Sequence, residues 1–391
     1  MPPLKQPDFS TITVPDERPA DWPFETWMSF AEARGGSSWG FQVLDLWLQF
    51  EAEQPNYPAN EFVIGFVVGE EAYANVTLRQ KVAYIGIDAL LLPTALCFAY
   101  TQDFELRKAY AALDGGSIGE YVSKVVQAAN GPRLRMKQRA AIAAMNFVIS
   151  HEFGHIAGGN FQLVRENVSA RERVHAMELC ADIAGFGAAF MTVLRPMVEG
   201  NGQADPDDVH DGLNLFGFTL ANLLLLKQEP KKPGSLYPTV SERLIFLMGS
   251  CLTGCAGRGG STGKLASAFN YSIMAGIRKA LVAASALDRI SLPPALARLA
   301  QDDYLPQRLN CVGCSPWARY VYEDSRHLFD LIESQRQLLE KYAASKFGFN
   351  RANFKLAETY ENRERRLCHL DYPNPLVRSF ISAGRWLTSR L

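Results

Sequence analysis

Apolar residues recur at helical spacing along most of the chain, and this pattern predicts a mainly helical protein. One helix is expected to begin at Arg133 and to continue through the apolar run from Ala140 to Ile149. Gly158-Gly159-Asn160 follows that run and is a typical helix stop. A second helical run, Met177 to Leu194, is almost entirely apolar, so we expect it to be buried.

Residues 61–88 show a different pattern, since two runs rich in β-branched residues are separated by Glu70-Glu71 and a few small residues. This predicts a small antiparallel sheet, so the expected fold class is α+β and predominantly helical. A Gly/Ser-rich stretch at residues 254–263 is the best candidate for a domain boundary. We expect an N-terminal arm with helices, a peptidase-like core and a helical C-terminal region, at residues 1–60, 61–253 and 264–391 respectively.

Composition and charge are ordinary for a soluble globular protein, since the 391 residues are 48% hydrophobic and 21% charged, with a formal net charge of −1. Two apolar runs come near membrane length, Val82 to Tyr100 and Leu213 to Leu226, but the first contains Asp88 and Pro93. Both are interpreted as buried core, and no membrane partner is expected. Basic clusters, such as residues 133–139, leave nucleic acid open as a regulator, with weak support. Seven cysteines and a Pro-rich start without an apolar segment favour a cytoplasmic location.

A potential metal site lies at the end of the first helix, in the sequence HEFGH. Residues four apart on a helix lie one turn above each other, so His151 and His155 present their imidazoles to one point. That arrangement suits a tetrahedral zinc ion. Glu152 is rotated by about 100° from His151. It can therefore face a water molecule at the metal, which is the position of a general base.

The second helix supplies a candidate third ligand, because the only charges in its apolar run are Glu178 and Asp182. An ionised carboxylate in a buried helix is costly unless it is paired or bound to a metal. Glu178 is therefore the expected third zinc ligand. Asp182, one turn further on, is expected to accept the second ring N–H of a ligand histidine. His175 is more simply explained as a solvated or outer-shell histidine, although a role as ligand or proton donor stays open.

The HEFGH motif followed by Glu178-x-x-x-Asp182 resembles the gluzincin metallopeptidases, in which a glutamate on the next helix completes the zinc site. The resemblance implies a zincin-like core, with the small sheet over the active-site helix and an edge strand that holds the substrate backbone. It does not extend to the metzincins, because Phe161 stands where their third histidine would be.

A later segment, YPTVSER, carries a predicted capping box, with Thr239 as N-cap and Glu242 at the third helical position. The segment also resembles the His-Pro…Arg element of CaaX-type and heat-shock-type gluzincins, with tyrosine in place of histidine. The resemblance implies that Tyr237 donates a hydrogen bond to the oxyanion of the reaction. It also implies that Arg243 pairs with a site carboxylate such as Asp182 or holds the substrate backbone.

The cysteines offer two further candidates. Four of them could form a structural zinc site, although the helix spacing of the first pair favours core or loop thiols. The four are Cys251, Cys255, Cys311 and Cys314. Cys97 follows the predicted sheet, where a loop beside the site is expected, and a thiolate there could occupy the fourth zinc position and restrain catalysis. The simpler interpretation of Cys97 is a small buried core residue.

Together these features predict a soluble zinc endopeptidase, in which Glu152 takes a proton from a water molecule that attacks a peptide carbonyl. The alternative is a non-catalytic module in which zinc holds a protein-binding surface, but a structural zinc has no use for Glu152. In general architecture the chain is comparable to the phage-exclusion Lit peptidases and to peptidases that cleave repressors in bacterial stress and anti-phage operons. That comparison implies a regulated, site-specific protease whose substrate is a protein, such as a transcription repressor.

Overall fold

The computed structural model describes the chain in separate segments. These are residues 61–67, 74–79, 82–88, 91–101, 106–115, 121, 124, 133–165, 171–199, 206–226, 236–255, 260–287 and 316–341. The predicted arm at residues 1–60 lies outside the described residues, as do Cys311 and Cys314.

In the described part of the chain the sheet has three strands, β1 (Glu61–Val67), β2 (Ala74–Arg79) and β3 (Val82–Asp88). β2 and β3 both come from the second β-branched run and are antiparallel, which confirms a small antiparallel sheet, although the sequence did not divide that run into two strands. β1 pairs with the other side of β3 and runs parallel to it, so the strand order is β1-β3-β2. The prediction of a wholly antiparallel sheet is therefore wrong for β1. An apolar alternation indicates that a segment is a strand, but it carries no information about the neighbour with which the strand pairs.

The helices confirm the predominantly helical fold class. In the described part of the chain they are α1 (Leu91–Tyr100), α2 (Leu106–Asp114), α3 (Arg133–Ala157), α4 (Asn160–Arg165), α5 (Arg171–Glu199), α6 (Pro206–Leu226), α7 (Val240–Cys255), α8 (Gly260–Ala286) and α9 (Pro316–Leu339). α3 carries the HEFGH motif and begins at Arg133, as predicted. α5 carries the two carboxylates and is longer than the apolar run that identified it.

The described helices share one hydrophobic core. α3 packs along α5, and α6 packs along α8, while β2 and β3 lie against α3. The largest fully buried side chains include six phenylalanines that come from five different helices. They are Phe98, Phe147, Phe153, Phe216, Phe246 and Phe329. The expected start of a C-terminal region at residue 264 falls inside α8, which packs against α6 and α7 in this core.

One segment of the described chain, Val209–Leu226 in α6, is long and apolar enough to cross a membrane. However, 72% of that segment is buried inside the protein, largely because α6 packs against α8 and α3. The other apolar run considered from the sequence, Val82 to Tyr100, contains β3 and α1. Both runs thus contribute to the folded core, as the sequence predicted.

Cys97 lies within α1 and is fully buried, so the expectation that it stands in a loop is wrong. Pro93 is the third residue of α1 and does not break the helix there. In a first turn, the N–H that proline lacks has no partner to lose. Burial raises the pKa of Cys97 to about 12, which keeps the thiol protonated at neutral pH. These observations favour the core interpretation over a zinc-binding thiolate.

Candidate metal centre

The two helices that carry the site approach each other closely because glycines lie at their contact. A Cβ atom on Gly154 of α3 would lie 2.8 Å from Cα of Ala181, and one on Gly185 of α5 would lie 2.6 Å from the carbonyl oxygen of Phe147. Both distances are too short for a real side chain, so neither position accommodates a larger residue without displacement of a helix. This close crossing brings Glu178 of α5 against the histidines of α3.

The apolar residues of the motif fix the orientation of α3. Phe153 is completely buried in the core. Phe147, one turn before His151, stacks against the imidazole with ring centroids 6.3 Å apart. Phe153 is two residues from each motif histidine, so with Phe153 held in the core His151 and His155 fall on the opposite side of the helix, which Phe147 shares. Glu152 is half-buried.

Three potential ligand residues form a compact triangle. Nε2 of His151 lies 3.2 Å from Nε2 of His155, and these two nitrogens lie 3.4 Å from different oxygens of Glu178, Oε2 and Oε1 respectively. Ligand atoms bound to a tetrahedral zinc at about 2.0–2.1 Å are roughly 3.3–3.4 Å apart. These separations resemble the ligand spacing around a metal ion of that size, and the three residues could hold one through two imidazole nitrogens and the Glu178 carboxylate.

Each histidine also contacts a polar side chain through its other ring nitrogen. Nδ1 of His151 lies 2.9 Å from Oδ1 of the completely buried Asp182, which is the contact that the sequence predicts. Nδ1 of His155 lies 2.7 Å from the side-chain amide of Asn160. The Asp182 carboxylate accepts the Nδ1–H of His151 and so fixes the tautomer that leaves Nε2 free for a metal. The Asn160 amide orients the His155 ring, and it supports metal binding through Nε2 when it presents its oxygen to Nδ1, because an amide nitrogen can only donate.

The role of Asn160 was not identified from the sequence, where it counted only as part of a helix stop. The structure shows why it reaches back to α3. The residue before it, Gly159, has a φ of 64°, and this left-handed conformation ends α3 and turns the chain directly into α4. The sequence did contain a signal for this contact. A polar residue follows directly after the Gly-Gly stop, five positions beyond the second motif histidine.

Arg243 reaches the site from α7 and forms a two-pronged ion pair with Asp182. Its Nε donates to Oδ2 of Asp182 at 2.9 Å, and Nη2 donates to Oδ1. Nη2 also lies 3.5 Å from Nδ1 of His151. Of the two roles expected for Arg243, the described contacts thus show the pairing with a site carboxylate.

The charges of this cluster favour a cation between the histidines and Glu178. Burial by itself lowers the pKa of His151, but hydrogen bonds to Asp182 and Glu178 outweigh it and raise the value to about 9. Burial and then the charge on His151 lower the pKa of His155 to about 4. Burial raises the pKa of Asp182, yet the neighbouring Arg243 guanidinium outweighs it and lowers the value to about 2. With both histidines neutral, as metal ligands must be, the three carboxylates, Glu152 included, and one guanidinium carry a formal charge of −2, which one divalent ion would neutralise; without a metal, the protonated His151 supplies one of these positive charges.

The predicted capping box at the start of α7 is confirmed. The side chain of Glu242 accepts hydrogen bonds from the backbone N–H and the hydroxyl of Thr239 at 2.6 and 2.8 Å, and the N–H of Glu242 donates to the Thr239 hydroxyl at 3.2 Å. His175 is buried, and its Nε2 lies 3.4 Å from the same Glu242 oxygen. His175 thus joins α5 to α7 and is not a member of the metal-ligand triangle found among the described residues.

Tyr237 is the most exposed large hydrophobic side chain in the part of the chain described, with 59% of its surface accessible. It stands six residues before Arg243, just ahead of α7. Its expected hydrogen bond to an oxyanion stays a prediction.

A second metal site at the four cysteines also stays a hypothesis. Cys251 is a buried thiol in α7, and two of the other three lie outside the described residues.

We expect Gly185→Ala to weaken the site through the helix crossing alone. The added methyl group must displace α5 from α3, which costs about 1–3 kcal/mol in unfolding free energy and moves Glu178 away from the histidines. Gly187→Ala is the matched control, because a Cβ atom there meets nothing within 4 Å and should stabilise the helix by about 0.5–1 kcal/mol. Urea unfolding and zinc titration measure both effects, and parent-like zinc affinity in Gly185→Ala would contradict this account of the crossing.

Comparisons of the chain with models of protein families, with curated proteins and with solved structures found no match.

Proposed function

We propose that this chain is a zinc-dependent peptidase of gluzincin type, with His151, His155 and Glu178 as the zinc ligands. The observation that carries the proposal is the cluster of the two imidazoles, 3.2 Å apart at Nε2, with the two oxygens of the Glu178 carboxylate, each 3.4 Å from one of these nitrogens, next to the partly buried Glu152. We further propose that α3, α5 and the small sheet form a zincin-like core.

The residues around the ligands have separable roles in this proposal. Zinc, when bound, supplies Lewis acidity and lowers the pKa of a coordinated water molecule to about 7. Glu152 accepts a proton from the attacking water and delivers it to the leaving nitrogen as the peptide bond breaks. Asp182 keeps His151 in the tautomer with a proton on Nδ1, and Arg243 balances the buried charge of Asp182. Tyr237 donates a hydrogen bond to the developing oxyanion.

The sheet supports a peptide as the substrate. Among the described strands β2 lies at an edge of the order β1-β3-β2, and it makes a larger contact with α3 than β3 does. An edge strand presents backbone N–H and C=O groups to which an extended peptide can add as a further strand. A substrate bound along β2 would therefore run close to the helix that carries Glu152 and the two histidines.

The wider biological role extends the proposal. We propose a cytoplasmic, regulated protease that cleaves a specific protein target, such as a bacterial transcription repressor in a stress or anti-phage pathway. This choice is supported by the resemblance in general architecture to soluble peptidases of that kind. Nucleic acid is retained only as a possible regulator, supported by the basic cluster near the start of α3.

Metal analysis of the purified full-length chain tests the proposal first. We expect one zinc ion per chain, and Glu178→Ala should weaken zinc binding by more than the roughly 100-fold that loss of an outer hydrogen-bond partner can cost. Glu172→Ala is the control, since Glu172 is an exposed carboxylate in the first turn of the same helix. If Glu178→Ala and Glu172→Ala bind zinc equally well, the ligand assignment is wrong.

Hydrolysis is tested on a mixture of denatured peptides, with cleavage products identified by mass spectrometry. A chelator should stop cleavage, and added zinc should restore it. A protein that binds zinc at this site but cleaves no peptide would instead support the non-catalytic module.

A further inference from the structure

The first turn of α7 is attached to α5 at two points that lie on either side of Glu178. His175 contacts Glu242 at one point, and Asp182 pairs with Arg243 at the other. His175, Glu178 and Asp182 are spaced i, i+3 and i+7, so they lie along one face of α5. Two consecutive residues of α7 therefore contact the first and the last member of this row.

Glu242 is a fixed point within α7, because its side chain belongs to the cap of that helix. One of its carboxylate oxygens accepts two hydrogen bonds from Thr239 and faces Nε2 of His175 as well. His175 is itself buried, with 6% of its surface accessible. Because both side chains are restrained, their contact fixes the position of the start of α7 relative to α5.

Correct placement of Arg243 matters because the hydrogen bonds around Asp182 are shared. Oδ1 of Asp182 contacts both Nη2 of Arg243 and Nδ1 of His151, and these two nitrogens are only 3.5 Å apart. A side-chain contact longer than about 3.5 Å is no longer a hydrogen bond. If the Arg243–Asp182 pair were the sole attachment, α7 could rotate about it, and a small rotation would disturb this arrangement. The His175–Glu242 contact is placed to prevent that rotation.

We propose that His175 is a positioning residue, which holds the start of α7 on α5 through Glu242 and thereby keeps Arg243 on Asp182 and Asp182 on His151. The inference rests on the proposed zinc site, which it extends by one further layer of residues. It assigns to His175 neither metal ligation nor proton transfer.

The test compares three variants of the full-length protein. His175→Ala removes the contact, whereas His175→Gln retains a donor at about the place of Nε2 and should restore it. His210→Ala is the matched control, since His210 also makes a hydrogen bond between helices, to Ser272 of α8 at 2.8 Å. Circular dichroism establishes that each variant is folded.

The expected result is a weaker zinc site in His175→Ala alone. We expect its zinc affinity to fall by about tenfold, at the lower end of what outer partners contribute, and its kcat to fall more than its KM rises. His175→Gln and His210→Ala should stay within about twofold of the parent, well below that effect. Hydrogen exchange of the Arg243 Nε–H, followed by NMR and assigned by its loss in Arg243→Lys, should be faster in His175→Ala only.

Two results would overturn the proposal. One is an unchanged zinc affinity and Arg243 exchange in folded His175→Ala, and the other is an equal loss in His175→Ala and His210→Ala. If the parent cleaves no peptide, the proposed function fails, but zinc affinity and Arg243 exchange still decide the role of His175. Arg243 exchange alone decides it if the parent binds no zinc. If His175→Ala does not fold, His175→Leu replaces it, because leucine fills the buried position but has no donor for Glu242.

Discussion

Glu152→Gln is expected to lower the rate of peptide cleavage by about 10²–10⁴-fold, the range that general acid–base catalysis contributes. Glutamine has nearly the same shape as glutamate but cannot accept the proton of the attacking water. The substitution leaves the ligand triangle intact, because Glu152 is not one of its three members. Zinc content should therefore remain at one ion per chain while cleavage is lost.

The measurement is a single-turnover rate on one peptide taken from the cleaved mixture, together with metal analysis of the same preparation. Glu172→Gln, on the exposed first turn of α5, controls for the loss of a negative charge. A Glu152→Gln rate within a few fold of the parent would exclude Glu152 as the base. In cells, a function that survives Glu152→Gln undiminished but is lost with Glu178→Ala would favour the zinc-stabilised binding module.

Much of the candidate site could be predicted from the sequence, because its components lie within short helical segments. The four-residue spacing of His151 and His155 determines their common direction on any helix. Glu178 and Asp182 stood out because an apolar helix has few reasons to contain two carboxylates. The capping box of Thr239 and Glu242 is likewise a local pattern, and the structure contains it as predicted.

The contacts that were missed join residues far apart in the chain. His175 and Glu242 are 67 positions apart, and no periodicity connects them. Asn160 lies near His155 in sequence, but its contact depends on the left-handed Gly159 that turns α4 back toward the motif. Distances of this kind depend on how helices pack, which a hydrophobic pattern leaves undetermined.

The errors in the fold have equally specific causes. The parallel pairing of β1 with β3 depends on which edge of the β2–β3 pair is free to accept a third strand, and the strand pattern does not specify this. The loop expected around Cys97, directly after the sheet, is instead the helix α1, and Pro93 is its third residue. Proline interrupts a helix only when it lies beyond the first turn.

Arg243→Met is expected to destabilise the protein by about 3–5 kcal/mol at pH 7, the cost of leaving a buried carboxylate without its partner. Asp182 is completely inaccessible to solvent, and Arg243 supplies two hydrogen bonds to it. Arg336→Met is the matched control. Arg336 also pairs with two carboxylates, at 2.9 and 3.1 Å, but these side chains are 23–32% exposed, so its loss should cost only about 0–1 kcal/mol.

The dependence of this loss on pH and on Asp182 identifies its origin. In the parent, the pKa of Asp182 is lowered to about 2, so its contribution to stability is complete above its ordinary value of 3.8 and is lost as the pH falls through 2. Without Arg243 the pKa of Asp182 must rise, since the main group that stabilises its charge is gone. The cost of Arg243→Met should therefore shrink as the pH is lowered and the carboxyl takes up a proton.

The cost of Arg243→Met should also shrink in an Asp182→Asn background, where an amide still accepts from His151 but no buried charge is left unpaired. Urea unfolding of the four proteins at two pH values measures both effects, and an equal cost of Arg243→Met in the two backgrounds would show that its destabilisation comes from lost packing and not from the charge of Asp182.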